Sequence, residues 1–232
     1  MTDKIRCSII IPVLNEKKTL SKQLALLQPL REAGHEIIVV DGGSTDGSLD
    51  IAAPYADQLI NSETGRAKQM NKGARCATHD WFLFLHVDTR LPRTALKSLQ
   101  AAFEKPSTQW GHFDVCLSGK RIWFRIIAWF MNKRSRITSI ATGDQAMFTS
   151  KMIFNQVGGF PDIALMEDIS ISRRLKKIAA PVCLSDVVIT SSRRWRKQGI
   201  IRTILFMWAL RLGYFIGVRP EVLANFYYRD TK

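Results

Sequence analysis

Apolar residues come in short unbroken runs along this chain, separated by amphipathic stretches. Cys7 to Val13, Ile37 to Val40 and Trp81 to Leu85 are continuous enough to be covered on both faces, as strands of a parallel sheet are. Between the first two, Leu20, Leu24 and Leu27 repeat at helical spacing, predicting a helix over Thr19–Arg31 that Gly34 closes. Gly42-Gly43-Ser44-Thr45-Asp46-Gly47 is a permissive loop that opens a second helix toward Ala56. Gln58–Asn61 reads as a brief strand, and Gly65–Ala74 as a basic helix start leading into the Trp81 run. Farther on, Phe113–Leu117 and Thr142–Phe148 read as strands and Val157–Pro161 as a turn, with a helix opening at Glu167-Asp168. Strands alternating with helices predict an α/β domain with a mostly parallel, doubly wound central sheet flanked by helices.

In such sheets ligands bind outside the carboxyl ends of the strands. The Trp81 run delivers His86 and Asp88 to that edge, the Glu36 run delivers Asp41, and the first strand passes through Pro12 to Asn15 and Glu16. Carboxylates placed there can hold Mg²⁺ or Mn²⁺, or accept hydrogen bonds from a base and ribose. Arg66 and Lys68 can meet phosphate charge. Two plainer readings stand beside these: Asp88 as a cap for the turn before Pro92, and Glu167-Asp168 as an ordinary acidic first helical turn. The Gly-rich loop lacks the Lys-Ser/Thr ending of a P-loop, and no GxGxxG follows the first strand.

Composition adds one core, a compartment and a partner. At 232 residues and 46% hydrophobic, the chain can bury a single sizeable core. Its four cysteines lack metal-ligand spacing, and Met1 to Arg6 lacks a signal peptide's apolar centre, so a cytoplasmic protein with reduced thiols is expected. The net charge of +14 is uneven: Lys120–Arg136 carries +6 and Arg173–Lys232 carries +10, leaving the rest at −2. Anionic lipid and nucleic acid are the partners to weigh. Acidic strand ends around one crevice repel a phosphate backbone, which disfavours nucleic acid. Residues 121–136 place Arg121, Arg125, Asn132 and Arg136 on one helical stripe with aromatic bulk around it. Residues 200–218 are more apolar, but Arg202, Arg211, Gly213 and Gly217 break them into runs short of the ~20 residues that span a bilayer. Peripheral binding to the inner face of the cell membrane is expected of these two helices, packing on the domain or a homodimer contact being the alternative.

Three motifs carry a resemblance. Ile10-Ile11-Pro12-Val13-Leu14-Asn15-Glu16, Val39-Val40-Asp41-Gly42-Gly43-Ser44-Thr45-Asp46-Gly47 and Phe84-Leu85-His86-Val87-Asp88-Thr89 resemble, in order, the nucleotide-sugar-binding half of family 2 glycosyltransferases. The resemblance implies a GT-A fold with a Rossmann-like sheet, an inverting sugar transfer from a UDP- or GDP-linked donor, and a divalent metal. It implies donor contacts from Pro12, Asn15, Glu16, Asp41, Ser44, Asp46, Arg66, Lys68, His86, Asp88 and Arg194. The family usually has Asp-x-Asp where this chain has His86-Val87-Asp88, so the metal role carries to Asp88, with His86 a competent imidazole ligand beside it. Gly143, Asp144 and Gln145 resemble the acceptor-side strand, and Glu167-Asp168 the acidic pair whose Asp is the catalytic base. Ser191-Ser192-Arg193-Arg194-Trp195 is similar to the Gln-x-x-Arg-Trp of polymerising members, with Trp195 against the acceptor; Ser191 in place of Gln argues against a processive polymerase. The layout resembles the short bacterial subgroup labelled arsenosugar-biosynthesis glycosyltransferases. The expected organisation is a catalytic domain over residues 1–198, divided at 110 into donor and acceptor halves, and a membrane-associating segment over residues 199–232. The implied acceptor is a hydroxyl or a lipid phosphate. A metal-dependent nucleotidyltransferase and a basic nucleic-acid-binding protein are the competing readings.

Overall fold

The computed structural model describes residues 5–229; residues 1–4 and 230–232, the outer ends of the two expected segments, lie outside it. Seven strands are found among the described residues: β1 (Ser8–Val13), β2 (Glu36–Asp41), β3 (Gln58–Asn61), β4 (Trp81–Phe84), β5 (Trp110–Leu117), β6 (Phe148–Ser150) and β7 (Val182–Thr190). They form one sheet in the order β3-β2-β1-β4-β6-β5-β7. All pairings are parallel except the two that flank β6. The α/β class and mostly parallel sheet expected from the apolar runs are what the chain forms.

Period-two side-chain alternation explains why those runs are unbroken. Ile9, Ile11, Val13, Ile37, Val39, Leu83 and Leu85 face one side, where Leu20 and Leu24 of α1 (Lys17–Ala25) and Leu99 and Phe103 of α2 (Ala95–Phe103) cover them. Ile10, Ile38, Val40, Phe82 and Phe84 face the other, against Met70 and Ala74 of α3 (Arg66–Cys76) and Ile171 and Leu175 of α4 (Glu167–Leu175). Gly73 lets α3 approach closely: a Cβ there would lie 2.5 Å from the Ile10 side chain.

Four local features depart from the sequence reading. The helix over Thr19–Arg31 is two pieces, α1 and a short turn at Gln28–Glu32, because Pro29 has no N–H to continue the ladder. Thr142–Phe148 is not a strand. A capping box between Thr142 and Gln145 winds Gly143–Gln145 into a 3₁₀ turn, and the strand begins at Phe148. β7 is not among the expected strands, since Ser185 and Asp186 break its apolar run and, at the sheet edge, only Val188 and Thr190 are buried.

The fourth concerns α5 (Ile122–Thr138), whose polar stripe is not wholly solvated. The Asn132 amide turns inward, accepting from Val115 N (2.9 Å) and donating to Val115 O (3.0 Å), and Arg136 pairs with Asp114 at 2.8 Å. β6 pairs with β5 only at Trp110 and Gly111, so Asn132 supplies the ladder bonds missing farther along. Ile122, Trp123, Trp129, Phe130 and Ile137 are left on the outside.

The C-terminal helices α6 (Arg193–Gln198), α7 (Ile200–Phe215) and α8 (Pro220–Arg229) return to the domain. Leu210, Leu223 and Ala224 are buried with Ile140, Leu165, Met166 and Ile169 in one cluster, so α7 and α8 share a core with the start of α4. No helix among the described residues is long and apolar enough to cross a membrane.

Candidate active site

Topology explains why distant residues meet. β1 pairs with β4 only as far as Ile10↔Phe84, while its pairing with β2 continues to Val13↔Asp41. Ile10 O accepts from Leu85 N on the β4 side, so Pro12, two residues on, removes the next N–H from that same side. The β1–β4 ladder ends there and a crevice opens past it. β6 runs against its neighbours, so its beginning lies at the carboxyl edge of the parallel strands and the Gly143–Gln145 turn is delivered to that crevice.

His86, Asp88 and Asp144 each present one ligand atom within 4.8 Å of the other two. His86 Nδ1 lies 3.8 Å from Asp144 Oδ1. Burial first, and then Asp144, pushes the Asp88 carboxyl above its ordinary range, against the pull of His86, Arg66 and Arg193. Burial also works to raise Asp144, but the hydrogen bond and charge of His86, with Arg66 and Arg211, hold it below the usual value. Two carboxylates forced together beside an imidazole fit a divalent cation, and the mixed N,O donor set suits Mn²⁺ better than the all-oxygen preference of Mg²⁺. Gly143 makes room for the ring: a Cβ there would stand 2.3 Å from His86 Cε1.

The same turn reaches the acidic pair at the start of α4. Gly143 N donates to Asp168 Oδ2 (2.9 Å), and Asp168 Oδ1 accepts from Ile169 N (2.7 Å). Met166, just before the pair, has φ +70, and Ala146, just after the turn, has φ +46. Left-handed non-glycine residues on both sides of one site are strain that the surrounding packing must hold. Glu167 is buried; burial, then Asp168, raises its carboxyl above the usual range, with Arg66 opposing. Burial disfavours the Arg66 cation, yet Tyr227, Glu167, Tyr228 and Asp144 together raise its pKa further.

The loops that follow β1 and β2 brace each other. Asp41 Oδ2 accepts from Gly43 N and Ser44 N, while its buried Oδ1 has no partner. Asn15, at φ +54, donates its backbone N–H to Ser44 Oγ, and its amide oxygen accepts from Thr45 N. Asp46 accepts from Lys17 N and Ser48, and Glu16 from the Thr19 hydroxyl. Ser44, Asp46 and Asn15 thus lock two loops to each other, and one Asp41 oxygen stays unbonded.

The sequence model described as Glycosyl transferase family 2 matches residues 8–160. The chain belongs to this family. Over 103 residues it is 39% identical to a PGL/p-HBAD biosynthesis glycosyltransferase of Mycobacterium tuberculosis, covering 41% of this chain and 40% of that one. The chain therefore spans less than half the length of that curated relative. Among solved structures it resembles S. aureus TarS 1–349 (TM-score 0.64, 18% identity, 82% of this chain and 61% of that one). It also resembles the mannosyltransferase PcManGT of Pyrobaculum calidifontis, solved with GDP-Man and Mn²⁺ (TM-score 0.61, 21% identity, 90% and 65%). Those two likenesses establish the GT-A fold.

Against the family pattern, several expected residues sit elsewhere. Lys68 pairs with Glu63 and faces Asp162 at the surface. Gln145 is wholly buried and bonded to Thr142, Ser135 and Phe113, so it holds the turn and does not face the crevice. Trp195 packs with Leu117, Phe124 and Ile127 in an apolar cluster. Arg194 stacks on Tyr227 at 3.9 Å and bonds to Gln198 and Tyr227 O. Its exposed neighbour Arg193, together with Arg66, supplies the guanidinium charge that acts on Asp88. Asp144, expected on the acceptor side, joins His86 and Asp88. No local pattern announces that role; only the reversal of β6 creates it.

Proposed function

We propose that this family 2 chain transfers a sugar, with inversion, from a UDP- or GDP-linked donor to an acceptor held at a membrane face. One observation carries the reading: a single turn serves both halves of the reaction, with Asp144 in the His86–Asp88 cluster and the neighbouring Gly143 N–H on Asp168. Groups set by consecutive residues keep the leaving group and the acceptor nucleophile in fixed register, as an in-line displacement requires.

Each step falls to residues in place. Asp41 Oδ1, buried and unbonded, accepts an N–H or O–H of the nucleoside. His86, Asp88 and Asp144 would hold the divalent ion, which supplies neutralisation of the diphosphate as it departs. Arg193 and Arg66 add positive charge on the same side. Asp168, oriented by two backbone N–H groups, takes the acceptor proton as the new bond forms. Glu167, with its raised pKa, stays beside Arg66 and fixes the start of α4.

The membrane reading is supported by the outward faces of α5 and α7. Trp123, Trp129 and Phe130 on one helix, and Ile201, Leu205, Trp208 and Leu212 on the other, are exposed, with Arg121, Arg125, Lys133 and Arg202 among them. Aromatic bulk with basic residues suits an anionic bilayer surface.

The test is donor binding. Thermal shift against UDP- and GDP-sugars should show stabilisation that needs Mn²⁺ and vanishes in Asp88→Ala. A chain stabilised by no nucleotide sugar, yet shifting duplex DNA in a salt-dependent way, refutes the proposal.

A further inference from the structure

α5 and α7 each carry one half-buried arginine on the flank of an exposed tryptophan, Arg134 about three turns beyond Trp123 and Arg211 about one turn beyond Trp208. Arg134 follows Phe124, Ile127 and Met131 along the packed face of α5. Its neighbour Ser135 is wholly buried and accepts from Gln145 Nε2 at 3.0 Å, which sets Arg134 at the level of the turn that carries Gly143 and Asp144. Arg211 follows Leu210, which is buried against Met166 and Ile169, the residues that bracket Glu167-Asp168. Both guanidinium groups therefore reach the acceptor side of the site.

Arg134 is not satisfied there. Arg134 Nε and Nη2 are the only buried side-chain nitrogens without a hydrogen-bond partner among the described residues. Burial first, and then the charge of Arg211, pulls Arg134 down to about 10; burial likewise lowers Arg211. Asp168 and Asp144 are the acidic groups acting on both, yet Asp168 is bonded to Gly143 N and Ile169 N, and Asp144 lies against His86. Two desolvated cations side by side, one of them with unbonded donors, are costly on their own and form a binding site once an anion lies between them.

We propose that Arg134 and Arg211 form a subsite for the phosphate of an anionic lipid acceptor, beside Asp168. This rests on the reading of Asp168 as the acceptor-side base. The lipid source follows from the helices themselves: the two that supply the arginines also carry the exposed Trp123, Trp129 and Trp208, and a shallow groove lined by Ile201, Leu205, Phe206 and Ala209 runs along α7. An amphiphile can lay its chain on those outer faces while its headgroup reaches inward to the arginines.

The experiment compares vesicles of phosphatidylcholine alone, with phosphatidic acid, and with phosphatidylserine at matched surface charge, in co-sedimentation. The parent protein should prefer phosphatidic acid, whose phosphate monoester is free to enter the subsite. Arg134→Gln and Arg211→Gln should each weaken that binding about tenfold, about 1.4 kcal/mol, and erase the preference over phosphatidylserine. Lys133→Gln, an exposed charge on the same helix, should lower both anionic lipids equally and keep the preference. Arg134→Lys, which keeps the charge but loses the planar fork, should fall between. Melting temperature monitors folding of each variant. Equal binding of the two anionic lipids by the parent, or an Arg134→Gln loss no greater than that of Lys133→Gln, overturns the proposal. Competition by soluble glycerol phosphate, without vesicle preference, would overturn the lipid source while leaving the phosphate subsite. Nucleotide-sugar binding with Mn²⁺ is read separately, and its absence would count against the glycosyltransferase reading and not against the subsite.

Discussion

Gly143→Ala isolates the role of His86 without touching a charged group. Gly143 does not occupy the left-handed region, so alanine suits its backbone. The added Cβ would lie 2.3 Å from His86 Cε1 and 2.5 Å from Nε2, where ordinary contact begins at 3.4 Å. The ring must therefore retreat by about 1 Å, the difference between those distances. Ligand distances at a metal site tolerate only about 0.2 Å. His86 should lose its place as a ligand, leaving the two carboxylates. The expected cost is ~10–100-fold in Mn²⁺ affinity, the range found when the support of a ligand is lost. Counting free Mn²⁺ by electron paramagnetic resonance, with His86→Ala alongside, reads this directly. Both variants should weaken by similar factors, with melting temperature nearly unchanged because the ring can move toward the open crevice. Parent-like affinity in both would show that Asp88 and Asp144 hold the ion without the imidazole. Loss in His86→Ala with parent-like affinity in Gly143→Ala would show that the turn, and not the ring, gives way.

Other consequences are as concrete. Asp168→Asn should keep donor affinity and cut turnover by ~10² or more, with a smaller loss for Glu167→Gln; the reverse order in single-turnover assays would move the base to Glu167. Arg193→Ala should weaken UDP or GDP binding by roughly tenfold, the worth of one charge-assisted contact, while Arg194→Ala acts mainly on stability through Tyr227; equal donor affinities for both variants would remove Arg193 from the site. Burial, then the nearby charge of His79, lowers His35 to about 4, and its Nδ1 accepts from Cys7 N at 3.1 Å. A depressed folded-state pKa means stability present above the unfolded value, near 6.5, and lost as pH falls through about 4. Up to roughly 3 kcal/mol should disappear across that window, and urea melts of His35→Gln should be flatter there; identical pH profiles would assign the acid loss to other groups.

Much of the donor half is legible in the sequence. Runs such as Ile9-Ile10-Ile11 and Phe82-Leu83-Phe84 must be covered on both faces, which demands helices on two sides and a crevice at the carboxyl ends. His86, Asp88 and Asp41 are placed at that crevice by short-range connectivity alone. The sequence also marks α5 and α7 as unusual, since tryptophan and arginine at helical spacing fit neither a simple core nor a simple surface. Tertiary structure decided what depends on chain direction and helix rotation. The reversal of β6 brings Asp144 to His86 and Asp88 and Gly143 to Asp168, though residues 86 and 144 are far apart in the chain. Asn132 pins α5 to Val115 and so sets how far Trp123, Trp129 and Arg134 turn from the sheet, a rotation that a helical stripe of alternating polar and apolar residues leaves open. The return of α7 onto Met166 and Ile169 then sets Arg211 beside the same acids. Local spacing fixes which residues share a strand end or a helix face; which distant faces meet is settled only when the core packs.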